Sequence, residues 1–172
     1  LMSRIFQGAR ITLWISGGAV VAGLGAGTIV GCVSGYWSNF ASASIDRVMD
    51  ALMAFPTMIV ALVVVAIFGV STNVTIAAIA IGMVPGTTRI VRSSVIAVRG
   101  EAYVEAARTL GASDARVIAR HVLPNILPVV IVAATVGLGS AILAESALSF
   151  LGLGTPPTNP SWGQMLSGDA RR

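Results

Sequence analysis

The sequence predicts an all-α, polytopic membrane protein with about four transmembrane helices. Three observations carry this reading: 55% of the 172 residues are apolar, only 10% are charged, and the charges are bunched so that three long runs hold none. A soluble domain is ordinarily about a quarter charged, so a water-exposed globule is excluded. The charge-free runs cover 11–45, 51–88 and 121–144, and each exceeds the roughly 20 residues that a helix needs to cross a bilayer. Nineteen glycines would weaken soluble helices but suit membrane helices that approach backbone to backbone.

The first span is placed at about 11–35. Its apolar core is too long for a cleaved signal peptide and lacks a cleavage site. The second run, at 1.5 Å per residue, would reach roughly 57 Å as one helix, nearly twice the hydrocarbon thickness, so it must fold back. The turn-rich patch Gly69-Val70-Ser71-Thr72-Asn73 divides it into spans of about 50–69 and 74–93. A fourth span is placed at 126–150, with Gly152, Gly154, Pro156 and Pro157 marking a loop beyond it. The polar stretch from Arg89 to His121 holds six of the 11 Arg, at 89, 92, 99, 108, 116 and 120. With Arg47 that face carries seven, against four on the other, so the positive-inside rule puts the loop 94–125 in the cytoplasm and the tail 151–172 outside. Both ends then lie outside the cell, so a further span is expected before Leu1, and the short tail without a compact domain is expected to be cut at its C-terminus.

Within the loop, Glu101 to Leu110 reads as an amphipathic helix with Ala102, Tyr103, Ala106, Ala107 and Leu110 toward one side. Gly111 stops it as a glycine able to take a positive φ. Ser113 is expected to cap a second short helix through its hydroxyl, with Asp114 in its first turn and Arg120 in its last. Pro124 is expected to end that helix and return the chain to the bilayer. Two short helices bent at a glycine suit a docking element for another protein's groove, or an interfacial helix lying on lipid head groups.

Inside the spans, Gly23, Gly27, Gly31 and Gly35 recur every four residues and form a stripe where another helix approaches closely, at a subunit interface or within this chain. Pro56 and Pro85 each remove a backbone hydrogen bond and can free a carbonyl toward a polar path, or serve structure alone. Glu145 is a carboxylate in an apolar run about one turn from the outer end of its span. Its readings are a wall of the outer vestibule, a contact with a partner, or simple placement at the wet interface. Asp50 is read as structural, opening the second span with Arg47 three residues away. Cys32, the single cysteine, is read as a small packing residue. His121 has no neighbouring Cys or His and is not a metal site. The basic excess follows topology, so no nucleic-acid partner is expected.

Glu105-Ala106-Ala107, then three residues, then Gly111, with Leu123-Pro124 further on, resembles the EAA loop of ABC importer permeases. The general consensus has isoleucine where this chain has His121. The form Arg120-His121-Val122-Leu123-Pro124-Asn125 is similar to the peptide and nickel branch of the family. Gly8-Ala9-Arg10, Ala54-Phe55-Pro56 and the stretch from Ala141 to Leu166 agree, so the resemblance covers nearly the whole chain.

The resemblance implies the type I ABC importer permease fold, usually of six spans, in a bacterial or archaeal cytoplasmic (inner) membrane. It implies a heterodimeric second permease, two cytoplasmic ATPases, an external solute-binding protein, and peptides or nickel as solute. By it, Glu105, Ala106, Ala107, Gly111, Leu123 and Pro124 belong to the loop that docks on the ATPase. No catalytic residue, metal or cofactor is expected in this chain, ATP and Mg belonging to the ATPase. Independently, a P-loop needs a lysine to hold phosphates, and the chain has none. The alternative from another class is an ion-coupled transporter or channel subunit, for which paired ionisable groups near the midplane are expected. None is visible. No H-E-x-x-H or G-x-S-x-G pattern marks an intramembrane enzyme.

Overall fold

A computed structural model describes residues 2–37, 39–156 and 161–167, with the backbone alone for 2–4. The helices are α1 (Met2–Tyr36), α2 (Phe40–Met53), α3 (Thr57–Phe68), α4 (Thr72–Arg99), α5 (Ala102–Thr109), α6 (Asp114–Val117), a π-helical turn (Ile118–Val122), α7 (Leu123–Phe150) and α8 (Trp162–Leu166). No strand occurs among the described residues. Three stretches are long and apolar enough to cross a membrane: Ile5–Tyr36, Thr72–Arg99 and Asp114–Phe150. The pair α2 and α3 adds a fourth if counted as one span.

Helix limits differ from the expected spans at informative places. The stretch expected as one span over 50–69 is instead two helices with a break between them, and the first of them starts at Phe40. Pro56 is the cause. It lacks an N–H and disfavours helical φ/ψ in the residue before it, and its own ψ of 131° leaves the helical region. At 12 residues, α3 rises roughly 18 Å, short of the hydrocarbon core by itself. Asn39 starts α2 by accepting the Ser42 N–H on its side chain at 3.0 Å, the usual N-cap arrangement.

Asp50 does not open a helix. It lies near the end of α2 and faces Arg89 of α4 at 3.6 Å rather than Arg47, while Asp46 meets Arg92 at 2.7 Å. Nor does Pro124 end a helix, because α6 runs through the π-helical turn into α7. A proline ring collides with the carbonyl four residues earlier, and a turn widened to i→i+5 spacing takes up the ring. The Leu123 N–H donates to the Ile118 carbonyl across that turn, and the Asn125 side-chain amide donates to the His121 carbonyl at 2.6 Å. Pro85, by contrast, sits inside α4 without breaking it.

The chain divides into two compact units. One comprises Leu1–Gly23, Phe55–Met83 and Thr135–Arg172; the other comprises Leu24–Ala54 and Val84–Ala134. In the first, Ile15, Ala19, Val65, Ala78, Ala141 and Leu148 form the apolar interior. The chain turns at Gly152, whose φ of +76° closes α7 through Gly152 N–H to Ser149 carbonyl and Leu153 N–H to Leu148 carbonyl bonds, a Schellman motif. The tail then lies against the unit. Thr75 Oγ1 donates to the Gly154 carbonyl at 2.8 Å, and Trp162 gives its N–H to Thr12 Oγ1 and its indole Nε1 to the Ile5 carbonyl. Pro157 and Asn159, with the terminal Ala170-Arg171-Arg172, lie outside the described residues.

In the second unit α1 lies close on α4. A Cβ on Gly27 would stand 2.6 Å from Thr87 Cβ, one on Gly31 2.8 Å from the Thr88 carbonyl, and one on Gly35 2.9 Å from the Arg92 carbonyl. Gly31→Val is therefore expected to destabilise the protein by about 1–3 kcal/mol through overpacking, whereas Gly25→Ala, at an exposed helical site with nothing within 4 Å, is expected to be neutral or stabilising. Thermal unfolding of the two variants in the same detergent distinguishes them.

Candidate functional site

The second unit contains the bent segment. Residues Ala102–Thr109 form α5, and the break that follows is a Schellman motif: the Gly111 N–H donates to the Arg108 carbonyl at 2.9 Å and the Ala112 N–H to the Ala107 carbonyl at 3.1 Å. Gly111 has φ +83°, a region costly for residues with a Cβ. Ser113 occupies the N-cap of α6 with extended backbone but makes no side-chain cap bond, contrary to expectation. Its neighbour Asp114 points elsewhere. One Asp114 carboxylate oxygen accepts the Tyr36 hydroxyl at 2.7 Å.

The inward face of the elbow is also not the expected one. Val104, Val117 and Val122 are fully buried with Cys32, Tyr36, Val91, Val95 and Ile126, and Ala107 and Ala112 pack on that cluster. Of the residues expected on the apolar side of α5, only Ala107 joins the core. Ala102, Tyr103, Ala106 and Leu110 face out, Leu110 with 89% of its surface exposed. Val104 outweighs the alanines because a buried valine removes more apolar area from water than a methyl does. Glu105 is exposed, as are Leu123 and Pro124 at the far end of the segment.

Tyr36 ends α1 beneath this elbow. Its ring lies under the Arg108 guanidinium, 4.8 Å from the centroid, a cation–π arrangement. Its carbonyl accepts from Arg99 Nη1 at 2.7 Å, a cation at a helix C-terminus. No local pattern in the sequence signals these contacts. Tyr103 and His121 rings face each other at 6.2 Å, and among the described residues no group of three His, Cys, Asp or Glu side chains could hold a metal.

The remaining candidate residues lie apart from the elbow. Gly23, Gly27, Gly31 and Gly35 all face α4 of the same chain, Gly23 in the first unit against Ala80 and Met83. Pro56 stands at the α2–α3 break and Pro85 within α4. Glu145 is not at the surface of this chain. It is fully buried in the first unit, where one oxygen accepts the Ser149 hydroxyl at 2.6 Å and the other has no hydrogen-bond partner among the described residues.

With Glu105, Ala106 and Leu110 exposed, the elbow offers a surface. The family model described as the binding-protein-dependent transport system inner membrane component matches residues 27–170 of the chain. The chain belongs to that family. It is 43% identical over 172 residues to the dipeptide transport system permease protein DppC of Alkalihalophilus pseudofirmus, covering 100% of this chain and 56% of that protein. It is 44% identical over 169 residues to a protein of Brucella suis named as a peptide transport system permease, covering 97% and 56%. The glutathione transport system permease protein GsiD of Pectobacterium atrosepticum is 37% identical over 167 residues, covering 97% and 56%. The chain thus spans about half the length of these relatives. As a member of this family it is a helical inner-membrane component with several helices able to span the bilayer.

Gly111→Val is expected to cost about 1–2 kcal/mol, the left-handed penalty for a side chain with a Cβ, and Gly111→Asn distinctly less. Faster cleavage by a protease added to the purified Val variant, at sites between residues 102 and 123, checks the outcome.

Proposed function

We propose that this chain forms a large part of one permease subunit of an ATP-driven, binding-protein-dependent importer of peptides, and that its elbow is the surface on which a cytoplasmic ATPase docks. The observation that carries the docking reading is the outward face of α5. Tyr103 is 43% exposed on a short helix whose opposite face is sealed into a valine core, and Leu110, which caps that helix, is 89% exposed. A large apolar side chain at the apex of a rigid bend is the kind of anchor that fills a pocket on a partner.

In this reading Glu105 and Ala106 line the docking face. Ala107 packs inward, Gly111 sets the bend, and Leu123 and Pro124 lead into the following helix. The elbow lies on the cytoplasmic side, as the Arg distribution favours, and the tail after Phe150 on the outer side. A second permease, two ATPases and an external solute-binding protein complete the assembly. Peptides are the favoured cargo because the relatives are named for dipeptide, peptide and glutathione transport. The chain has no lysine with which to build a P-loop, so ATP and Mg are assigned to the ATPase. Transport then follows from differential affinity: nucleotide closes the ATPases, the docked elbow moves with them, and the spans exchange inward and outward openings. Such coupling is reciprocal, so arrival of loaded binding protein outside raises ATP hydrolysis inside.

Leu110→Asp is expected to reduce co-purification of the ATPase at least tenfold, since a charge replaces an anchor in a desolvated pocket, while the subunit still inserts and pairs with its partner permease. Full ATPase recovery with that variant would remove the docking assignment.

A further inference from the structure

We propose that Tyr36 is the positioning residue that carries the movement of the elbow into α1. The inference rests on the docking reading above and deepens it, by naming the joint through which a docked elbow acts on the membrane helices.

Four contacts converge on this one residue. Its hydroxyl donates to Asp114 Oδ1 at 2.7 Å, at the start of the second arm of the elbow. Its ring takes the guanidinium of Arg108, on the first arm, at 4.8 Å. Its carbonyl, the last of α1, accepts from Arg99 Nη1 at 2.7 Å, where α4 ends. Trp37 stands edge-on to its ring at 5.0 Å. Tyr36 therefore holds both arms of the elbow and ties the ends of α1 and α4 together, with only 3% of its own surface exposed.

The valine cluster beneath the elbow cannot do this alone. Apolar contact is non-directional, so Val104, Val117 and Val122 hold the elbow on that floor without tying it to one particular group of α1. A hydrogen bond to a carboxylate and a stacked guanidinium fail outside a narrow range of distance and angle. They convert a displacement of either arm into a force on the end of α1. The first helix in turn moves as one body with α4 in this unit, because Gly27, Gly31 and Gly35 leave no gap between them. The tyrosine hydroxyl is the informative group, since a phenylalanine would fill the same volume and keep the stack.

The test uses the complete importer, with both permeases, the ATPases and the binding protein, reconstituted in lipid vesicles. Tyr36→Phe is expected to assemble with normal ATPase stoichiometry and to hydrolyse ATP at the basal rate within about twofold. Stimulation by peptide-loaded binding protein should fall about tenfold, the scale for losing one hydrogen bond to a charged acceptor, and peptide imported per ATP should fall with it. Asp114→Ala should show the same uncoupling, and the double variant should lose no more than either single variant, because both remove one bond.

Normal stimulation in Tyr36→Phe and in Asp114→Ala overturns the proposal. So does additive loss in the double variant, or a loss of stimulation that only tracks loss of bound ATPase, which marks a merely structural role. Failure of the docking reading is seen separately, as full ATPase recovery with Leu110→Asp.

Discussion

Close approach of two backbones is the constraint on which the second unit depends. Between apolar helices in lipid there is no water to expel, so association draws on packing and on hydrogen bonds across the contact. The first helix meets the fourth through Gly27, Gly31 and Gly35, and the gap is small enough for Thr88 Oγ1 to reach the Gly27 carbonyl at 3.4 Å. Because that seam reaches Tyr36 and Val95, the ends of the two helices stand side by side and form the floor under the elbow. The glycines thus act on the site without touching it.

The prolines show how one chemical defect has different outcomes according to its neighbourhood. At Pro56 the helix is abandoned and a new one begins at Thr57. At Pro85 the helix continues. At Pro124 the backbone widens into a π-helical turn, and the Asn125 side-chain amide donates to the His121 carbonyl. In each case a missing N–H and a bulky ring must be accommodated where unpaired backbone groups are costly. The pattern from Arg120 to Asn125 has a direct physical reading: it keeps a long helix intact through its proline and leaves the elbow attached rigidly to the helix that follows.

Buried polarity is handled differently in the first unit. Thr12, Thr75 and Ser149 are buried but hydrogen-bonded within the unit, and Thr12 and Thr75 anchor the tail that follows Gly152. Gly154 and Gly163 allow that tail to lie directly on Ser146 and Ser149. The described parts of the tail, 152–156 and 161–167, thus pack on the unit, which their position after the last apolar run did not suggest. Glu145 lies beneath the same surface, so its exposure could not be inferred from its distance to the helix end.

Membrane class, helical architecture and the place of the elbow were determined by the sequence itself. Charge bunching and apolar run length report directly on the medium that each segment meets, and Gly111 states its own backbone requirement. Tertiary structure alone decided which face of the elbow turns inward, that the α2–α3 pair breaks at Pro56, that Asp50 faces Arg89, and that Tyr36 meets Asp114 across 78 positions of chain. Those outcomes compare alternatives that look equivalent locally: a valine against several alanines, or one arginine against another. They are settled only when segments remote in sequence compete for the same space and the same hydrogen-bond partners.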